Sequence, residues 1–162
     1  MINIKIICVG KVKEKSLKDL IDEYTKRLSK YCKLEIIELQ DEKIPQPCSK
    51  SDELKIKEKE CEKIKDKILK IGKCSVVFLD LHGKQYSSEE FSEKLDTMAT
   101  YGTSTIAFVI GGSLGLTNEL LSLSNEKISF SKMTFPHQLF RVFLLEQIFR
   151  AFKIQNNETY HH

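Results

Sequence analysis

Residues 74–81, CSVVFLDL, and 105–110, TIAFVI, decide the architecture of this 162-residue chain. Both runs are apolar at nearly every position, and glycine follows each: Gly83 after the first, Gly111-Gly112 after the second. A strand with one wet face alternates polar and apolar residues, whereas a strand covered on both faces reads as continuously apolar. Residues 2–9, INIKIICV, give a third strand, Leu34, Ile36, Ile37 and Leu39 a fourth, and Ile128 with Phe130 a fifth. Helical spacing fills the intervals. Ser16 is expected to cap a helix carrying Leu17, Leu20, Ile21, Tyr24 and Leu28. A charged helix follows from about Ser51 to Ile71. Its apolar stripe is Leu54, Cys61, Ile64, Ile68 and Ile71, and its lysines and glutamates read as a solvated face. Ser87 or Ser88 caps a helix with Phe91, Leu95 and Met98, and a short helix starts at Thr117 with Leu120 and Leu121 inward. Pro136 suits the first turn of a last helix. Strands alternating with helices predict an α/β fold, a mainly parallel sheet with helices on both faces, in one domain over residues 1–162.

The last helix stands apart. Of the 19 positions from Pro136 to Ile154, 11 are apolar, and they surround the helix instead of forming a stripe. Such a helix must be covered on most sides. A second copy of the chain is the expected cover, giving a homodimer; a central core helix within one chain is the alternative.

Composition excludes several classes. The chain is 41% hydrophobic and 30% charged with net charge +3, which permits an RNA partner without requiring one. No run reaches the roughly 20 apolar residues of a transmembrane helix. The N-terminus lacks the basic segment and small-residue cleavage site of a signal peptide, so a cytoplasmic location is expected. Five cysteines, with no C-x-x-C pair, argue against a disulfide framework. The histidines (His82, His137, His161, His162) show no ligand spacing, so no metal is expected.

In open parallel sheets, ligands gather at the carboxyl ends of the strands. Three segments there are candidates: 79–84 (LDLHGK), 110–116 (IGGSLGL) and 130–137 (FSKMTFPH). Glycines in the first two allow a ligand close to the main chain, although a Gly-Gly pair after a strand also serves as a plain tight turn. His82 and His137 lie on two of these segments. The glycine run is not G-x-G-x-x-G and does not follow the first strand. No phosphate loop and no G-x-S-x-G elbow is present. Hydride transfer, ATP hydrolysis and nucleophilic hydrolysis therefore lack local support.

The run Phe108-Val109-Ile110-Gly111-Gly112-Ser113, then Gly115-Leu116, resembles the RlmH family of SPOUT methyltransferases. So does Ile128 to Gln138 (ISFSKMTFPHQ), continuing through Arg141, Glu146-Gln147 and Arg150-Ala151. The likeness extends to Val9-Gly10-Lys11, Glu23-Tyr24, Lys26-Arg27, Leu79-Asp80, Ser87-Ser88-Glu89 and Tyr160-His161, essentially the whole chain. It implies a SPOUT-type α/β knot, a C-terminal trefoil, in a cytosolic homodimer. It implies S-adenosylmethionine as methyl donor and N3 of a pseudouridine in helix 69 of 23S rRNA, in the assembled ribosome, as acceptor. The implied cofactor residues are Leu79, Gly111, Phe130, Ser131, Lys132, Met133, Thr134 and Phe135. One subunit's pocket is expected to work with the partner's tail, which carries Tyr160 and His161. Family members commonly end in Tyr-His plus Lys or Arg, where this chain has His162.

On that reading His161 assists loss of the N3 proton, since an unperturbed histidine titrates near neutrality. Tyr160 stacks on or orients the base. The alternative is that both position RNA and water takes the proton. Lys11, Lys13, Lys15, Arg141 and Arg150 are candidate RNA contacts, with an ion pair to Glu146 as the structural reading of the two arginines. Two other classes share these features: a non-catalytic ribosome-binding or assembly factor, and a flavodoxin-like nucleotide-binding module.

Overall fold

The computed structural model describes residues 1–161. The strands are β1 (Ile2–Val9), β2 (Cys32–Leu39), β3 (Ser75–Gln85), β4 (Thr105–Ile110) and β5 (Glu126–Ser129); they form one sheet in the order β2-β1-β4-β3-β5. Every pairing is parallel. The helices are α1 (Lys15–Leu28), α2 (Lys50–Ile71), α3 (Ser88–Tyr101), α4 (Asn118–Leu121) and α5 (His137–Gln155).

Alternation along the strands sorts side chains into two cores. Ile4, Ile6 and Cys8 of β1, with Ile106, Phe108 and Ile110 of β4, face the side that buries Ile21, Leu95, Leu144 and Ile148. Ile7 and Val9 share the other face with Val76, Phe78, Ala107 and Val109, beneath Cys61, Ile64 and Ile68 of α2 and Leu120. Helices α2 and α3 begin with capping boxes, Ser49 with Asp52 and Ser87 with Glu90. Each cap satisfies main-chain donors that the first turn leaves free.

Several expectations need correction. Helix α1 starts at Lys15 with Glu14 at its N-cap and no side-chain cap, so Ser16 lies inside the first turn. Leu54 is 54% exposed, and Ile56 takes the inward place expected of it. Strand β3 runs past Leu81 to Gln85 because its register jumps: Ile128 of β5 pairs with both Leu79 and Lys84. The backbone at Gly83 lies so close to β5 that a Cβ there would stand 2.7 Å from the Ile128 nitrogen. That glycine crosses a close approach instead of ending a strand.

Helix α5 packs against both α1 and α3. Val142, Leu144, Leu145, Ile148, Phe149, Ala151 and Phe152 are buried within the chain, while Phe143 points out at 37% exposed. A central position inside one chain therefore accounts for most of its apolar girth. Among the described residues no helix is long and apolar enough to cross a membrane.

Candidate active site

The carboxyl ends of β3, β4 and β5 converge on a cleft of about 140 Å³. Its floor is Leu79, Asp80 and Leu81 within β3, Ile110 at the end of β4 with Gly111 just after it, and Ile128 and Ser129 of β5. The segment Phe130, Ser131, Met133, Thr134 and Phe135 forms one wall, and His137 with Phe140 from the start of α5 completes it.

Each wall has a local cause. A Cβ on Gly111 would come 2.8 Å from Leu116 Cδ2, so a larger residue there would have to push the Leu116 side chain aside. The turn beyond it closes through the Gly115 N–H donating to the Gly112 carbonyl at 3.0 Å, with Gly115 at φ +85°. Behind this turn, α2 presents Glu60, which is buried and accepts the Glu42 N–H at 3.0 Å. Burial pushes the Glu60 carboxyl above its ordinary pKa, against the opposing pull of that hydrogen bond.

The segment after β5 is shaped by two short hydroxyl bonds. The Ser129 hydroxyl donates to the Ser131 carbonyl at 2.9 Å, and the Met133 N–H donates to the Ser131 hydroxyl at 3.0 Å. Aromatic rings then buttress it. Phe130 and Phe140 lie 4.9 Å apart, and Phe135 stacks on Phe140 at 6.2 Å and meets Phe143 edge-on at 5.4 Å. Among the described residues, no backbone hydrogen bond engages Thr134 or Phe135, so their peptide groups are available to a ligand. Desolvation beside the cleft lowers the His137 pKa, which favours the neutral ring.

Seven of the eight expected cofactor residues line this cleft: Leu79, Gly111, Phe130, Ser131, Met133, Thr134 and Phe135. Lys132 does not; it is exposed beside the cleft. His82 is also exposed and outside the lining. Phe140 and Ile128 were legible only as core residues, because periodicity carries no information about which end of a strand a helix covers. Glu60 is different. It sits with Ile56, Ile64 and Ile68 at helical i, i+4 spacing, so its place on the buried stripe was visible in the sequence.

The tail lies elsewhere. Tyr160 meets Phe149 edge-on at 5.0 Å, its hydroxyl donates to Glu146 at 3.2 Å, and Arg150 sits over its ring at 4.9 Å. Burial, with Tyr24 and Glu146 close by, pushes the Tyr160 phenol up to about 12. His161 spans two helices, its Nδ1 3.0 Å from Arg150 Nη1 and its Nε2 2.5 Å from Glu89 Oε1. Neither tail residue lines the chain's own cleft. His162 falls outside the described residues.

Of the candidate cations, Lys11, Lys13 and Lys15 are exposed, and the Lys13 N–H donates to Gln138 Oε1 at 3.0 Å, holding this segment against the start of α5. Arg150 pairs with Glu146 at 2.6 Å. Arg141 is buried and pairs with Glu38, not Glu146, so it is removed from any RNA surface. Among the described residues no cluster of three or more His, Cys, Asp or Glu could hold a metal ion.

An all-parallel sheet with a cleft walled by the segment after its last strand fits an α/β methyltransferase fold. The chain belongs to the SPOUT methyltransferase family: the family model described as "Predicted SPOUT methyltransferase" matches residues 2–161. Within that class its relatives are of the RlmH kind. It is 59% identical to the ribosomal RNA large subunit methyltransferase H of Clostridium acetobutylicum, over 98% of this chain and 99% of that protein. A protein of the same name from Bacillus cytotoxicus is 58% identical over the same shares. Among solved structures, a "probable methylase family protein" from Haemophilus influenzae aligns over 98% of this chain and 70% of its own, with TM-score 0.55 and 17% identity. A Bacillus anthracis protein aligns over 98% and 99%, with TM-score 0.53 and 11% identity. At such identities these two structures speak for the fold alone.

Proposed function

We propose that this protein transfers a methyl group from S-adenosylmethionine to N3 of a pseudouridine in helix 69 of 23S rRNA, in the assembled ribosome. The observation that carries the reading is full-length likeness to ribosomal RNA large subunit methyltransferases H, joined to a cleft at the carboxyl ends of β3, β4 and β5.

The lining suits the cofactor. Leu79, Ile110 and Ile128 offer apolar contact to a flat purine, and the unengaged peptide groups of Thr134 and Phe135 can read its edge. Asp80 is the one acidic side chain in the lining and suits a positively charged donor. Bound there, S-adenosylmethionine supplies an already activated methyl group. The protein's share is then to align the acceptor nitrogen with that group, which is worth up to about 7–11 kcal/mol in ideal cases. Its other share is to help the nitrogen lose its proton, worth roughly 10²–10⁴-fold. His161 is the group assigned to the proton and Tyr160 to the base, each acting from the tail of one subunit on the cleft of the other. The family's C-terminal knot and homodimer belong to the same reading. Met133, which lines the cleft, and Phe143, which meets Phe135 beside it, are exposed and support a dimer face there.

Exposed Lys11, Lys13 and Lys15 are assigned to rRNA phosphates. With +3 per chain, cations alone hold RNA weakly, so shape and ribosomal context supply the specificity.

Calorimetry with S-adenosylmethionine, followed by methyl transfer to ribosomes lacking the modification, tests the proposal. Binding and transfer are expected, with far slower transfer to a free helix 69 hairpin. Cofactor binding without transfer favours an assembly factor, and no binding overturns the reading. Sedimentation at micromolar concentration is expected to show twice the 18.7 kDa chain mass.

A further inference from the structure

His161 is held between groups of opposite hydrogen-bonding character. A guanidinium has donors and no acceptor, and an ionised carboxylate has acceptors and no donor. Arg150 therefore requires a lone pair at Nδ1, and Glu89 requires a proton at Nε2. Only the neutral Nε2–H tautomer satisfies both. Behind these partners, Glu146 pairs with Arg150 and accepts the Tyr160 hydroxyl.

We propose that Glu89 is a positioning residue for His161: it accepts the Nε2 proton, and so makes Nδ1 the nitrogen that receives a proton from the substrate. The catalytic half of this statement rests on the methyltransferase reading above. In the free chain Arg150 occupies the Nδ1 lone pair. Arg150 also bonds Glu146 through Nε and Nη2, so the guanidinium remains paired when its Nη1 contact gives way to a substrate N–H. The proton then moves from the base nitrogen to Nδ1. The ring becomes an imidazolium with protons on both nitrogens, its Nε2–H still bonded to the Glu89 carboxylate. A carboxylate behind an imidazole holds the tautomer and stabilises the cation that forms, without itself taking the proton. Hydrogen bonding to His161 already holds the Glu89 carboxyl below its ordinary pKa, keeping it ionised at neutral pH.

Glu89 is exposed on the first turn of α3, so its replacement leaves the fold intact, which circular dichroism checks. The test is the ¹⁵N spectrum of ring-labelled protein at pH 8, read without any substrate. Wild type is expected to show His161 protonated at Nε2 and bare at Nδ1. Glu89→Ala is expected to lose that preference, and Glu89→Gln, whose amide oxygen still accepts, to retain part of it. Single-turnover methyl transfer to ribosomes is expected to fall about tenfold in Glu89→Ala, less in Glu89→Gln, with S-adenosylmethionine affinity unchanged. A proton on Nδ1 in wild type, or an unchanged tautomer in Glu89→Ala, overturns the positioning role. A changed tautomer with an unchanged rate overturns the assignment of Nδ1 as proton acceptor. If wild type methylates no ribosome, the functional reading fails, and the spectrum alone still decides what Glu89 does to His161.

Discussion

Arg141 Nη1 donates to Glu38 Oε2 at 2.6 Å, joining the start of α5 to the end of β2. The same guanidinium donates to the Gly10 carbonyl at 3.3 Å, and its Nε has no partner among the described residues. The arginine side chain is 4% exposed and the glutamate 38%, so the two halves of the pair differ in what their loss leaves behind. Glu38→Ala strands a buried cation and is expected to cost about 3 kcal/mol, whereas Arg141→Met leaves a carboxylate that water can reach and costs less. Urea unfolding of both variants checks the ordering.

Gly83→Ala places a methyl group against the Ile128 backbone, which cannot move aside as a side chain tip could. Overpacking of this kind costs typically 1–3 kcal/mol, and a backbone obstacle puts the variant at about the upper end. Because Ile128 lines the cleft, the variant is expected to lose S-adenosylmethionine affinity together with thermal stability.

Phe140 touches the rings of both Phe130 and Phe135, so it holds two parts of the cleft wall in place. Phe140→Ala frees both rings. At about 0.5–1.5 kcal/mol per side chain that must be ordered on binding, calorimetry is expected to show roughly a tenfold loss of cofactor affinity. Lys132→Ala, which trims a side chain outside the lining, is expected to stay within about twofold.

Glu60 gives a pH dependence of defined sign. Burial raises its folded pKa above the ordinary 4.5, so the native state holds this proton more tightly than the unfolded chain. Stability is then lost as pH rises from 4.5 through the raised value. Glu60→Gln keeps an acceptor for the Glu42 N–H and removes the ionisation. The variant is expected to unfold at an equal or higher temperature at pH 7, with the difference shrinking below pH 4.5.

The Glu89–His161 contact has the opposite sign. Its hydrogen bond depresses the Glu89 pKa, so the stability it contributes is present above the ordinary 4.5 and lost as pH falls through the depressed value. His161→Ala is expected to return Glu89 toward 4.5, read by ¹³C titration of its carboxyl carbon.

Much of this architecture was legible before any coordinates. Of the apolar runs 74–81 and 105–110, residues 75–78 and 106–110 are buried in the interior strands β3 and β4, because only a strand covered on both faces tolerates such continuity. Ser87 and Thr117 cap the helices that they precede, because capping is a local geometric relation. The three candidate segments each contribute to one cleft, although the first, 79–84, lies within β3 and is not a loop after it.

What the sequence by itself determined is therefore local: periodicity names the elements, and strand ends name the candidate loops. Contacts between residues far apart in the chain were decided only in three dimensions. Arg141 found Glu38 across 103 residues, although Glu146 lies close by on the same helix, and His161 found Glu89 across 72. The enclosure of α5 between α1 and α3 is of the same kind. An apolar helix states that it must be covered, but burial is non-directional, and only the packed chain shows what covers it.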